Sequence, residues 1–199
     1  MKCALALVAA IVVVAASAAT PAPLALHEIQ PGAYEIVSKD TLVRYGVIHM
    51  GVSEYWGTFP GATGTLVIDP KAIAQAKLDV KVPIATVETT NRELDGELFS
   101  DEFFDGEKYP VMHFIATQVT PTGATTIKVT GNLTIHGVTK PISLEATFTG
   151  AGRNPFSNAS IIGFKAEGVV KRSDFGIGKY VPIVSDATTM TISATFEKK

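Results

Sequence analysis

A period-two alternation through the second half constrains this chain more than any other feature. In Thr126–Ile135 the apolar residues Ile127, Val129, Leu133 and Ile135 share one face, and Lys128, Thr130, Asn132 and Thr134 take the other. Ile142, Leu144, Ala146 and Phe148 alternate with Ser143, Glu145 and Thr147. Phe164, Ala166, Gly168 and Val170 form a third apolar face, and Met190, Ile192, Ala194 and Phe196 a fourth. Successive side chains of an extended strand point to opposite sides, so this pattern predicts strands wet on one face and buried on the other. The first half adds Tyr34–Val37, Thr41–Met50, Thr63–Ile68, Lys77–Val82 and Val111–Thr120. About nine closely spaced strands, divided by turns such as Pro121-Thr122-Gly123, indicate an antiparallel sandwich or closed barrel. No strand–helix–strand rhythm suggests a parallel sheet.

Two stretches break the pattern. Pro70–Ala76 reads as a short helix with Asp69 as its N-cap and Pro70 at its first position. Thr89–Asp105 is acidic and rich in helix formers, and Thr90 or Asn91 would cap it. Its apolar stripe of Leu94, Leu98 and Phe99, with Phe103 and Phe104 beyond, would lie over the sheet or across a barrel mouth.

The N-terminus reads as an address. Lys2 precedes an apolar run over Ala4–Ala16, and Ala16-Ser17-Ala18 supplies small residues for cleavage. Residues 1–18 are therefore expected to be a removed signal peptide, 19–32 a flexible leader with three prolines, and 33–199 one β domain. The signal accounts for the mean hydropathy of +0.26. Hydrophobic residues make up 46% of the whole chain. Without the first eighteen residues that share falls to roughly 42%, ordinary for a globular domain. The one cysteine, Cys3, leaves with the signal, so the domain is expected to carry no disulfide or thiolate chemistry. A net charge of −2 without a basic block argues against a nucleic-acid partner.

Four motifs resemble the YceI-like family of lipocalin-like periplasmic barrels. They are Val47-Ile48-His49-Met50-Gly51-Val52-Ser53, followed by Gly57-Thr58-Phe59; Asn91 to Asp105 with Tyr109-Pro110-Val111-Met112-His113-Phe114; Gly131 to Ile142; and Lys171-Arg172-Ser173-Asp174-Phe175-Gly176-Ile177-Gly178. They occur in the family's order over about residues 33–197. Arg44-Tyr45 departs from the family pattern, where an apolar alternating pair is usual, and Thr63-Gly64-Thr65 is a variable strand entry. The resemblance implies an all-β fold: an eight-stranded antiparallel lipocalin-like barrel with a short helical insert. It implies a periplasmic or secreted carrier whose apolar cavity takes a long isoprenoid lipid, of isoprenoid quinone or polyprenyl phosphate type. A barrel of that strand number can hold one slim ligand. Small residues on the apolar faces, Gly131, Ala146, Ala166, Gly168 and Ala194, would leave it room.

On this resemblance the cavity or its mouth is expected to include His49, Trp56, Phe59, Phe99, Phe103, Phe104, Phe114, Phe148, Phe164, Arg172 and Phe175. Arg172 would meet an anionic head group or cap a turn. His49 and His136 each precede a glycine and would bind turn backbone, a head group or a haem-like cofactor. His27 falls in the leader. The histidines lack metal-ligand spacing, and no HExxH, nucleophile-elbow or phosphate-loop motif is present, so neither a metal site nor a catalytic residue is expected. Two other readings stay open: an accessory presenting a quinone to membrane cytochromes, and a lipid-modifying enzyme. Further partner options are a transient membrane or cytochrome contact and a homodimer.

Overall fold

Alternation becomes hydrogen-bonded pairing in register along the whole domain. The computed structural model describes residues 26–199. The expected signal peptide, with Cys3, and residues 19–25 of the leader lie outside them. Ten strands form one antiparallel sheet: β1 Gly32–Ile36, β2 Leu42–His49, β3 Ser53–Phe59, β4 Thr63–Ile68, β5 Lys77–Pro83, β6 Val111–Pro121, β7 Thr126–Ile135, β8 Val138–Arg153, β9 Ser160–Lys171 and β10 Ala187–Lys198.

These ten make an eight-stranded barrel. β1 and β2 run in the same direction along one edge of β10, with Tyr34 opposite Lys198 and Val43 opposite Ile192. They are two halves of one strand, broken by a 3-10 turn at Ser38–Asp40. β3 and β4 are the halves of the next, since β3 pairs with β2 and β4 with β1. From there the chain meanders, each strand pairing with the one before it, until β10 closes on β1 and β2. Closure removes the open edges that a flat sheet would expose.

The predicted strands are present, and β3 is the one that alternation failed to reveal. Its inward face carries Tyr55, Gly57 and Phe59, whereas Trp56 points outward, so apolar and polar residues do not sort by side. The expected helix at Pro70–Ala76 is only a 3-10 turn at Ile73–Gln75. Asp69 still receives a hydrogen bond from the Lys71 N–H, but the eight residues between β4 and β5 must also reverse the chain, which leaves only a single 3-10 turn. The insert forms α1, Arg92–Phe99, and Asn91 caps it by accepting the Glu93 N–H at 2.9 Å.

The leader is shorter than expected. Leu26–Glu28 forms a 3-10 turn, and Leu26 and Ile29 are buried in the hydrophobic core. The Leu26 N–H bonds to the Ala124 carbonyl in the β6–β7 turn, and the Tyr34 hydroxyl donates to Gln30 O at 2.7 Å. The Ser160 hydroxyl of β9 donates to Gln30 Oε1, so the segment is tied to β1, β9 and the β6–β7 turn. The apolar content of Leu26 and Ile29 outweighs the proline-rich stretch before them.

Candidate ligand-binding site

Two adjoining chambers occupy the barrel. The inner one, about 180 Å³, is lined by the inward faces of the strands, including Leu78, Val80, Phe114, Leu144, Phe164, Ala166, Ile192 and Ala194. Thr41 is its one polar side chain. Several of these residues point into the barrel yet are only half-buried, because they border open space rather than packed neighbours. Alanines create that space: Ala146, Ala166 and Ala194 all line it. The glycines do not. Phe114 lies across Gly131 and Leu144 across Gly168, so close that a Cβ at either glycine would clash.

The outer chamber is larger, about 500 Å³, within the range of ligand pockets. Val43, Met112, Ile135 and Met190 belong to both walls and form the ring where the chambers meet. Beyond that ring the wall comes from β2 and β3, α1 and its following turn, and the segment between β9 and β10. Apart from Thr41, the polar side chains of the two walls are all here.

Long-range bonds assemble this outer wall. Lys179 donates to Glu97 at 2.8 Å and also to Glu102, while the Tyr180 hydroxyl donates to Glu97 at 2.8 Å. Lys179 also lies over the rings of Phe103 and Tyr180. α1 and the segment after β9 are thereby strapped together across the mouth. Glu97 is held below the usual carboxylate range by the hydrogen bonds from Lys179 and Tyr180, and Lys179 is raised by its two carboxylates. Asp186 is also lowered, chiefly by the Ser173 N–H and then by its hydroxyl.

Eight of the eleven expected residues line a chamber. Phe114 and Phe164 face the inner one. His49, Phe59, Phe103, Phe104, Arg172 and Phe175 face the outer one. Trp56 does not, being on the outward face of β3 with the Arg44 guanidinium 4.8 Å above its ring. Phe148 does not, packing on Phe164 at 5.5 Å beside a bulge in β8. Phe99 does not, its ring lying against Gly106.

Arg172 reaches the chamber wall, but its guanidinium is committed to backbone. It donates to the carbonyls of Ser185, Ile177, Lys179 and Val184 at 2.6–3.0 Å. That is four of its five N–H groups, so Arg172 braces the segment after β9 instead of meeting a head group. Burial lowers its pKa. His136 likewise bonds backbone, with Nδ1 3.2 Å from Phe175 O, and lines neither chamber.

Among the residues missed from sequence are Tyr45, Glu97, Lys179, Tyr180 and Thr188, all on the outer wall. Tyr45 was visible only as half of the Arg44-Tyr45 departure. Its phenol is pushed well above the ordinary range by burial, then by neighbouring Tyr55 and Asp95.

Comparison with known proteins follows the same outline. A family model, the YceI-like domain, matches residues 34–196. A UPF0312 protein of Pseudomonas syringae pv. tomato is 37% identical over 155 residues, covering 78% of this chain and 79% of the relative. The solved YCEI protein of Campylobacter jejuni is 33% identical, with a TM-score of 0.68 over 76% of this chain and 90% of that one. A polyisoprenoid binding domain from Saccharophagus degradans, implicated in plant cell wall breakdown, has a TM-score of 0.63. It covers 85% of this chain and 100% of that domain, at 12% identity, so this likeness speaks to the fold.

Proposed function

The chain belongs to the YceI-like domain family, and on that premise we propose that it binds a long isoprenoid lipid tail-first and carries it unchanged. The observation that carries this reading is the inner chamber. A dry void of about 180 Å³ costs a folded protein on the order of 4 kcal/mol, which ordinary packing would avoid. Its apolar lining would hold no water firmly, since water needs polar partners. An apolar chain recovers that loss at roughly 25 cal/mol for each Å² it buries. The ring of Val43, Met112, Ile135 and Met190 would admit a slim chain from the outer chamber. The barrel fold is one that a polyisoprenoid binding domain also uses, so its architecture is compatible with that ligand class.

The mouth supports loading at a membrane surface. Ile48, Met50 and Val52 of the β2–β3 hairpin are exposed, as are Val181 and Ile183 nearby. Backbone bonds join the two segments, Met50 N–H to Ile183 O at 2.7 Å and Ser185 N–H to Ile48 O at 2.9 Å. Together they set apolar side chains along one side of the opening, Val52 being 88% exposed. A tail passing from bilayer to barrel beside that rim would meet little water. The signal-like N-terminus supports a periplasmic or secreted site of action.

Solvent extraction of protein purified from its native compartment, followed by mass spectrometry, should release a prenyl lipid. Consistent absence of one, with no binding of added prenyl quinone or prenyl phosphate, would sink the proposal.

A further inference from the structure

Thr188 carries the observation not yet used. Its side chain is buried, the residue being 9% exposed, and Oγ1 finds no hydrogen-bond partner among the described residues. Buried hydroxyls are rarely left so, because an unmade hydrogen bond costs stability. Thr188 lines the outer chamber on the inward face of β10, two residues toward the mouth from Met190. Met190 belongs to the ring between the chambers and lies opposite Tyr45 on β2. Thr188 and Tyr45 are therefore diagonal neighbours across the β10–β2 pair, Tyr45 level with the ring and its phenol leaning over Gly57 of β3, so that the two hydroxyls stand on opposite sides of β2.

We propose that Thr188 and Tyr45 form the seat for an uncharged head group that accepts hydrogen bonds, such as a quinone carbonyl, and that this seat selects against a prenyl phosphate. The inference rests on the tail-binding reading above, with the tail below the ring and the head above it. Tyr45 contributes a phenol that burial keeps protonated and able to donate. The charge around the seat disfavours an anion. Asp95 acts on Tyr45, and Glu97 stands in the same wall. The cations of that wall are engaged: Lys179 by Glu97 and Glu102, Arg172 by four carbonyls, and Arg44 over Trp56. His49 stands farther out, at the β2–β3 hairpin. A buried phosphate needs a cation of its own, whereas a carbonyl needs only a donor.

The test measures binding to the full chain of three ligands of equal tail length: a prenyl benzoquinone, the prenyl phosphate and the prenyl hydrocarbon without a head. The quinone should bind tightest and the phosphate weakest. Thr188→Val should weaken the quinone about five- to tenfold, leave the hydrocarbon unchanged and leave the urea midpoint equal or higher. Tyr45→Phe should show the same split between ligands. Equal loss for quinone and hydrocarbon, no loss for either, or a phosphate bound as tightly as the quinone would overturn the head-group seat while the tail chamber stands. Failure of all three ligands to bind the unaltered chain would remove the tail-binding reading, and this one with it.

Discussion

The inner and outer chambers share a ring of four side chains but are built differently. The inner wall is made of strands, and each lining position follows from alternation along one of them. The outer wall is assembled from separate segments that meet through Lys179, Glu97, Tyr180 and the Arg172 carbonyl bonds. A wall of sheet is held by many interdependent backbone bonds, whereas a strapped wall hangs on a few side chains. The first suits a passive slot, and the second suits a part that must open.

The largest effect should come from filling the slot. Ala194→Phe would place a ring where the tail is proposed to lie. Displacing about 100 Å² of contact at roughly 25 cal/mol per Å² should weaken prenyl binding roughly fiftyfold. Thermal unfolding should stay near or above the unaltered midpoint, because the ring fills existing space. A variant that binds normally would break the division of labour between the chambers.

Next in size is Arg172→Met. Four carbonyls would lose their donor, so stability should fall by about 2 kcal/mol in urea titration. Binding should weaken only in proportion to the loosened outer wall. Full stability with lost binding would instead return Arg172 to the role of head-group anchor.

Acid should loosen the outer wall before the inner one. Glu97 and Asp186 are both depressed from ordinary values of 4.5 and 3.8. Their stabilisation is complete above that range and is lost as pH falls through the lowered folded values. Ligand release should therefore quicken below about pH 4 while the barrel's circular dichroism persists. Lys179→Met should quicken release several-fold at neutral pH and flatten that acid dependence. The smallest effect belongs to Trp56→Phe, which should leave ligand affinity unchanged because Trp56 stacks outside the barrel.

The same contrast explains what could be read from sequence. Phe114 and Phe164 were legible because each lies on an inward phase of a regular strand. Phe148 shares that phase and is buried on it, but it is packed against Phe164 just before the β8 bulge and borders no open space, which phase alone does not report. Trp56 was misplaced because the β3 alternation was not recognised. The Lys179–Glu97 strap joins residues 82 apart, and nothing in local spacing announces such a pair. Thr188 reads as one of several threonines in a polar-looking strand start, since an unmet hydroxyl is a property of surroundings. The motif resemblance supplied the strand count, which local patterns put at about nine because β1 and β2, halves of one barrel strand, read as two, while β3 went unread beside its other half β4.

Barrel closure also has a consequence for the order of synthesis. The other pairings in the meander join strands near in sequence, but Tyr34 waits for Lys198 and Val43 for Ile192. A chain growing from its N-terminus can zip β3 to β2 and then each successive hairpin, yet it holds two raw edges until Ala187–Lys198 emerges. Those twelve residues are the last wall of the inner chamber and the seam that joins the two edges of the sheet. A nascent chain released short of them would present half a greasy trough to its surroundings, which makes the final strand a checkpoint that separates a finished container from an aggregation hazard.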